Sequence, residues 1–269
     1  MKDLHIHTSY SDGEYNEFEI LNEVVKSGVS EFAICDHDTI EGSQKVFELL
    51  QKGGLNLKFH SGVELTCRLN NFLGGINMHI LARDFDFNNK QILEIIQEIS
   101  VLRKTKISLM VQFVESEYNI IIPKDILEET IKNTKSFGKP HLYSILCQIG
   151  NFDREQYYRK MDKLNTNSLK LDTAKTITKL KSYAKTYLAH PVEIMREHNL
   201  GLEEIEKIIK KLKELGISGV ETYHSSQTKQ LQNSLSQIAK KYCLEECCGS
   251  DFHGPNVKPN LHIGDTQTA

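Results

Sequence analysis

Residues 3–13 read Asp-Leu-His-Ile-His-Thr-Ser-Tyr-Ser-Asp-Gly, a short strand-like stretch with two histidines that runs into a turn. Alternate residues of a strand point to the same face, so we expect His5 and His7 side by side with Leu4 and Ile6 packed behind them. The Ser-Asp-Gly sequence favours a turn that brings Asp12 back over the strand. Two unrelated histidines on a surface strand would give the same pattern, so other residues must decide.

Metal-ligating residue types recur where further strands are predicted. In barrels of parallel strands, the active site gathers at the carboxyl ends of the strands. Ligand-type residues at many strand ends therefore indicate one common site rather than scattered structural histidines. Apolar runs are followed by, or contain, His37, Glu64, His79, His190, Glu221 with His224 behind it, and Asp251 with His253.

Six motifs follow one another along the chain: His5-x-His7, Ser11-Asp12-Gly13, Asp36-His37-Asp38-Thr39, Gly62-Val63-Glu64, His190-Pro191 and Gly249-Ser250-Asp251-Phe252-His253-Gly254. Together they resemble the PHP family, the polymerase and histidinol phosphatase domain. The resemblance covers the whole chain and implies an α/β fold, a distorted (β/α)7 TIM-like barrel with a helical insertion domain. It also implies a metal-dependent phosphoesterase.

The segment Gly138-Lys139-Pro140-His141 resembles a narrower, stand-alone PHP subgroup. That subgroup acts on nucleoside 3',5'-bisphosphates and on short RNA from the 5' end. It usually has Arg where this chain has Lys139. The resemblance implies that Lys139 and His141 contact the substrate.

The family resemblance implies three divalent metal ions, two of which share Glu64 because a carboxylate has two oxygens. Nitrogen and oxygen ligands without thiolate favour manganese, iron or zinc. Asp36 and Asp38 flank His37 and are expected to orient its ring, although Asp38 would serve equally as a helix cap. The implied ligand sets are His5, His7, Glu64 and Asp251 for the first ion, Glu64, His79 and His190 for the second, and Asp12, His37 and His253 for the third.

The predicted catalytic residues are His224 and Asp251. We expect a hydroxide that bridges the first two ions to attack phosphorus in line, while His224 or a metal-bound water protonates the departing oxygen. His224 and His141 are also predicted to contact phosphate. Arg103 could bind phosphate through its planar fork, but exposed helical arginines are common.

The alternation of strands and helices breaks in the middle of the chain. Residues 1–87 and 185–269 show the βα units of a barrel, whereas 88–184 show helices and one short strand-like run at 118–122. Because 88–184 is too long for a loop, it is predicted to be a helical cap that selects substrates. Alternatively, it only covers apolar barrel surface.

The composition is that of a globular protein, with 269 residues, 39% hydrophobic and 26% charged. The net charge of −3 disfavours binding of long nucleic acid, so we expect a small phosphorylated substrate, a nucleotide or short RNA.

Six cysteines without Cys-x-x-Cys spacing are expected to be small buried hydrophobes in a reducing compartment. With neither a signal peptide nor an apolar run of about 20 residues, the predicted location is the cytoplasm.

Three histidines are predicted to lie outside the site, and three other functions are possible from the sequence. His60 and His262 are predicted to be structural, and His198 to lie in a solvated turn. Histidinol phosphate is the main rival substrate. Two further alternatives are a metal-dependent amide hydrolase, usually marked by a carboxylated lysine between its metals, and a metal-binding module without activity.

Overall fold

Nine strands and ten α-helices form the described part of the chain, residues 1–132 and 137–266 of a computed structural model. The strands are β1 (Lys2–Ile6), β2 (Glu31–Ile34), β3 (Lys58–His60), β4 (Gly62–Leu69), β5 (Ile76–Arg83), β6 (Leu171–Asp172), β7 (Lys185–Leu188), β8 (Gly219–His224) and β9 (Glu245–Gly249). The helices are α1 (Glu17–Ser27), α2 (Glu41–Lys52), α3 (Lys90–Tyr118), α4 (Lys124–Lys132), α5 (Lys139–Ile149), α6 (Arg154–Met161), α7 (Thr173–Leu180), α8 (Pro191–His198), α9 (Leu202–Leu215) and α10 (Lys229–Lys241).

The chain divides into two units. The first contains Met1–Gln97 and Leu171–Ala269, and the second is Glu98–Lys170. Residues 88–97 and 171–184 were predicted as part of the insertion but lie in the first unit. In the second of these ranges, β6 pairs with β4. The strand-like run at 118–122 forms no strand, because α3 continues to Tyr118.

All nine strands belong to the first unit and form two sheets. One sheet is parallel, in the order β1-β2-β3, and the other has the order β6-β4-β5-β7-β8-β9. The α/β class is confirmed, but β5 runs antiparallel to both β4 and β7. Glu64 therefore lies near the start of β4 and His79 in the middle of β5. The expectation that Glu64 ends a parallel strand was wrong, whereas His79 lies within its strand, as predicted.

Two isolated bridges connect the sheets close to the ligand-type residues. Ile6 pairs with Phe252, and His37 pairs with Glu64. The backbone N–H of Asp251 donates to the carbonyl of His5 at 2.8 Å. These bonds bring the ends of β1 and β2 beside β4 and the segment after β9.

β1 does not alternate as a regular strand. Its pairing with β2 shifts register between Asp3 and Ile6. Ile6 packs into an apolar cluster with residues of α1 and β2, as expected, whereas Leu4 packs into another cluster with Leu81 and Tyr187. The predicted position of Leu4 behind the histidines together with Ile6 was therefore wrong, because a local irregularity changes which face each residue occupies.

The second unit has an apolar core of its own. Met110 and Val114 of α3 pack against Leu142, Leu146 and Tyr157 of the following helices. These side chains are almost fully buried, so α3 to α6 form a helical unit with its own interior. No helix in the described residues is long and apolar enough to span a membrane.

None of the six cysteines, all of which lie in the described residues, forms a disulfide, and only part of the expectation for them holds. Cys35, Cys67 and Cys247 are buried, as small hydrophobes would be. Cys147 and Cys243 are exposed, since each lies on a solvent-facing position of its segment.

Candidate metal centre

β1 brings two imidazoles together at the end of the first sheet. The Nε2 atoms of His5 and His7 lie 3.0 Å apart, and each lies 3.1 Å from Oε2 of Glu64. Asp251, just after β9, places Oδ1 3.1 Å from Nε2 of His7. All four side chains are buried, and their ligand atoms lie within 4.8 Å of one another. The four residues predicted for the first ion thus form one group.

Glu64 presents its two oxygens to different histidines. Oε2 also lies 3.2 Å from Nδ1 of His37, whereas Oε1 lies 3.0 Å from Nδ1 of His79 and 2.7 Å from Nε2 of His190. Burial would raise the pKa of Glu64, but its interactions with the surrounding histidines, including the hydrogen bond with His190, hold this pKa well below its usual range. An ionised carboxylate with neighbours on both oxygens can bridge two cations.

The turn after β1 adds a third group. Asp12 places Oδ1 3.3 Å from Nε2 of His253 and Oδ2 3.7 Å from Nε2 of His37. With His7, these ligand atoms again lie within 4.8 Å of one another. Burial lowers the pKa of His37 to about 3, so its ring is neutral at physiological pH and can offer a lone pair to a cation.

Asp36 fixes this turn and does not orient His37 as predicted. Its carboxylate accepts hydrogen bonds from the backbone N–H and hydroxyl of Thr8 and from the hydroxyl of Ser11, each at 2.7 Å. Asp38 accepts from the N–H of Thr66 at 2.8 Å, so it joins β4 and does not cap α2. Both carboxylates hold the backbone around the candidate site.

The donors at the centre fit divalent cations. Nδ1 of His79 and Nε2 of His224 are buried and have no hydrogen-bond partner among the described residues. A buried polar atom without a partner destabilises the folded protein by about 1–3 kcal/mol. A cation bound to these nitrogens would offset that loss of stability. The nitrogen and carboxylate ligands match the preferences of manganese, iron and zinc.

The PHP domain family matches residues 3–224 of the chain. This chain belongs to the PHP family. The resemblance to this family that the sequence motifs indicated is confirmed. Like its relatives, the protein is a hydrolase that acts on phosphoric ester bonds. Asp251 and His253 lie beyond the matched residues, and only the fold brings them to the site.

Curated relatives match almost the full length of this PHP protein. A 5'-3' exoribonuclease of Haemophilus influenzae is 26% identical over 98% of this chain and 95% of its own length. A phosphoribosyl 1,2-cyclic phosphate 1,2-diphosphodiesterase of Eggerthella lenta is 23% identical, with 94% of each chain covered.

Two solved structures share the fold. A Bifidobacterium adolescentis protein, described as a metal-dependent phosphoesterase, has a TM-score of 0.75 at 24% identity and covers 99% of this chain and 92% of its own. An amidohydrolase from Chromobacterium violaceum has a TM-score of 0.73 at 18% identity, with 98% and 89% covered.

Glu221 is a buried carboxylate of the PHP site to which the sequence interpretation gave no role. Its Oε1 lies 3.1 Å from Nδ1 of His5, and its Oε2 accepts the backbone N–H of His190 at 2.7 Å. His190 has a φ of 24°, an unusual conformation for a non-glycine residue that this bond helps to hold. The sequence did contain a clue, because Gly219-Val220-Glu221 repeats the Gly62-Val63-Glu64 pattern.

Replacing Glu221 by Gln is expected to weaken Mn²⁺ binding about 10–100-fold, because His5 loses the charged partner that orients its ring. Calorimetric titration of Mn²⁺ into the metal-free protein measures the effect. Glu245→Gln is the matched control, since Glu245 is an exposed β9 carboxylate paired with Lys185. Equal Mn²⁺ affinity in E221Q and wild type would contradict this role.

His224 lies at the same site, at the end of β8. Its Nδ1 lies 2.8 Å from the Ser226 hydroxyl and accepts the Ser226 backbone N–H at 3.1 Å. Its Nε2 forms no hydrogen bond with the described residues and lies 3.5 Å from Oδ2 of Asp251. Because Nδ1 already accepts from Ser226, Nε2 is the ring nitrogen left to act on a ligand.

The groups open into a pocket of about 720 Å³. Besides His37, Glu64, His79, His190, His224, Asp251 and His253, it is lined by Glu193, Arg196, Glu197, Ser225, Ser226 and Lys258. Arg196 donates to Glu193 at 2.7 Å, and Asn77 donates to Glu197 at 2.6 Å. The pocket wall therefore carries charges of both signs.

The three other predicted substrate contacts belong to the second unit. Arg103 is half-buried on α3. Lys139 pairs with Asp162 at 2.7 Å, and Nδ1 of His141 accepts the N–H of Gly138 at 3.2 Å, as a helix cap does. Their contact with a substrate stays a prediction.

The remaining histidines lie apart from the metal groups. His60 contacts Asp84 and Glu31, consistent with a structural role. His198 is not solvated as expected, because its Nε2 accepts the N–H of Asn77 at 2.9 Å. His262 is exposed.

Proposed function

We propose that this PHP protein hydrolyses phosphate esters of nucleotides, acting on a nucleoside 3',5'-bisphosphate or on the 5' end of short RNA. The observation that carries the proposal is Glu64, whose two oxygens face separate histidines at the base of an open pocket. The full-length similarity to an exoribonuclease supports a nucleotide as the substrate.

We propose three divalent ions, manganese, iron or zinc. Such ions would neutralise phosphoryl oxygens and favour ionisation of water near neutral pH. Glu64 would contribute to the first two positions and is the residue on which both depend. The three proposed sets are His5, His7, Glu64 and Asp251; Glu64, His79 and His190; and Asp12, His37 and His253.

His224 and Asp251 are the proposed catalytic residues. His224 would donate a proton from Nε2 to the departing oxygen. Oδ1 of Asp251 faces the first metal group, and Oδ2 faces His224. Asp251 would therefore hold His224 in a fixed position relative to the first metal ion. The protonated leaving group then departs as a neutral alcohol.

We also propose that the first unit closes as a distorted barrel, supported by the bridges Ile6–Phe252 and His37–Glu64. Residues 98–170 are proposed to be the substrate-selecting cap. Arg103, Lys139 and His141 would then meet a second phosphate, for which cationic or hydrogen-bonding groups are suited.

Histidinol phosphate is the second candidate substrate. Its cationic amine requires carboxylates away from phosphorus, and Glu193 and Glu197 line the pocket. Both already have partners, in Arg196 and Asn77, so they are less available to an amine. Amide hydrolysis has less support, because Glu64 takes the bridging place in which a carboxylated lysine is usual.

Phosphate release from a substrate panel tests the proposal. The kcat/KM for adenosine 3',5'-bisphosphate or short 5'-phosphorylated RNA should be about 100-fold higher than that for histidinol phosphate or AMP. We expect this difference because the site would bind a second phosphate that the last two compounds lack. Manganese, iron and zinc are compared. Preference for histidinol phosphate would overturn the substrate assignment, and inactivity with every metal and substrate would overturn the proposed activity.

A further inference from the structure

Lys258 contacts Asp251 through two different oxygens. Its ammonium donates to Oδ2 of the carboxylate and, at 3.2 Å, to the backbone carbonyl. Asp251 has a φ of 58°, in the left-handed region that non-glycine residues rarely adopt. The ammonium therefore holds both the side chain and the backbone of a strained residue at the metal centre.

Glu14 anchors the segment that carries Lys258. Its Oε1 accepts the backbone N–H groups of Asn256 at 2.6 Å and Val257 at 2.9 Å, and its own N–H donates to the carbonyl of His253. The N–H of Lys258 donates to the carbonyl of Gly254 at 2.9 Å. Since the loop is held at both ends, the position of the Lys258 side chain is built into the fold.

The two carboxylate oxygens of Asp251 have separate neighbours. Oδ1 lies 3.1 Å from Nε2 of His7, in the first metal group, whereas Oδ2 faces Lys258. The Asp251 side chain is only 11% exposed, so few other orientations are open to it. An ammonium on Oδ2 leaves Oδ1 as the oxygen available to a cation.

We propose that Lys258 is a positioning residue that makes Asp251 a one-oxygen metal ligand and holds its strained backbone. The inference rests on the proposed metal-dependent function. Lys258 acts through Asp251 and does not itself bind the phosphate of the substrate. Loss of Lys258 should therefore weaken metal binding and kcat while KM for the phosphorylated substrate stays unchanged.

The test compares wild type with K258M, K258R and K241M by Mn²⁺ titration, followed by electron paramagnetic resonance, and by steady-state kinetics at saturating Mn²⁺. K258M is expected to raise the Mn²⁺ dissociation constant about 10–100-fold and to lower kcat, with unchanged KM. K258R, which keeps a cation, should recover most of the affinity. K241M is the matched control, since the exposed Lys241 at the end of α10 pairs with Glu206 at 2.6 Å, away from the pocket.

A second variant acts without touching Asp251. Glu14→Ala removes the hydrogen bonds that hold the loop and should also raise the Mn²⁺ dissociation constant, by a smaller factor than K258M. This variant keeps the inference testable if K258M folds poorly. Wild-type Mn²⁺ affinity in K258M and E14A, or a raised KM in K258M with unchanged Mn²⁺ affinity, would overturn the inference alone. A wild-type protein that binds no Mn²⁺ would overturn the proposed function and this inference with it.

Discussion

Replacement of Glu64 by Gln should lower turnover about a thousandfold or more while the protein stays folded. The carboxylate lies within 3.2 Å of five histidine nitrogens, on both of its oxygens. Gln keeps the size of the side chain but removes the charge that two cations would share. Metal ions supply several kcal/mol of transition-state stabilisation, and about 4 kcal/mol corresponds to a thousandfold in rate. Steady-state phosphate release measures the loss.

The matched control for this change is Glu23→Gln, since Glu23 pairs with Lys26 on the solvent side of α1. It makes the same chemical substitution away from the pocket, so activity should equal that of wild type. Circular dichroism should show that E64Q keeps its fold. Full activity of E64Q with its metals bound would show that Glu64 does not bridge them.

The His224→Asn variant should lower kcat about 10²–10⁴-fold for a nucleotide substrate, the range that general acid catalysis contributes. Asn can still accept the N–H of Ser226 near the position of Nδ1, but it has no group at the position of Nε2. The alcohol of a nucleotide must be protonated as it leaves, whereas p-nitrophenolate leaves readily as an anion. The loss should therefore be much smaller with p-nitrophenyl phosphate.

Comparing the two leaving groups separates acid catalysis from damage to the site. His262→Asn is the control variant, because His262 lies exposed near the end of the chain. A similar loss on both substrates would mean that His224 holds a metal or the fold rather than a proton. Wild-type activity on the nucleotide would exclude any catalytic role for it.

The candidate ligands could be found from the sequence because each stands in a short motif beside an apolar strand. His5-x-His7 and Asp251-Phe252-His253 keep their relative spacing wherever the strand lies. The strand directions could not be found in this way, because β4 and β5 form an antiparallel pair within a pattern that otherwise alternates strands and helices. Glu64 and His79 still face the site because alternate strand residues share a face whatever the strand direction.

The supporting residues escaped the sequence interpretation because their partners are distant along the chain. Glu221 meets His5 across 216 residues, and Glu14 meets the Lys258 loop across more than 240. Asp36 was expected to serve its neighbour His37, but folding places it against Thr8. A short motif shows which residues lie together in sequence, whereas these contacts depend on how the whole first unit folds.

Metal content per chain tests the central claim most directly. Purified protein is stripped with a chelator, reloaded with Mn²⁺, freed of unbound metal and measured by inductively coupled plasma mass spectrometry against protein concentration. A convergent set of His5, His7, Asp12, His37, Glu64, His79, His190, Asp251 and His253 predicts more than one Mn²⁺ per chain, with activity restored in parallel. A chain that retains none, and that iron and zinc also fail to load, would contradict the account.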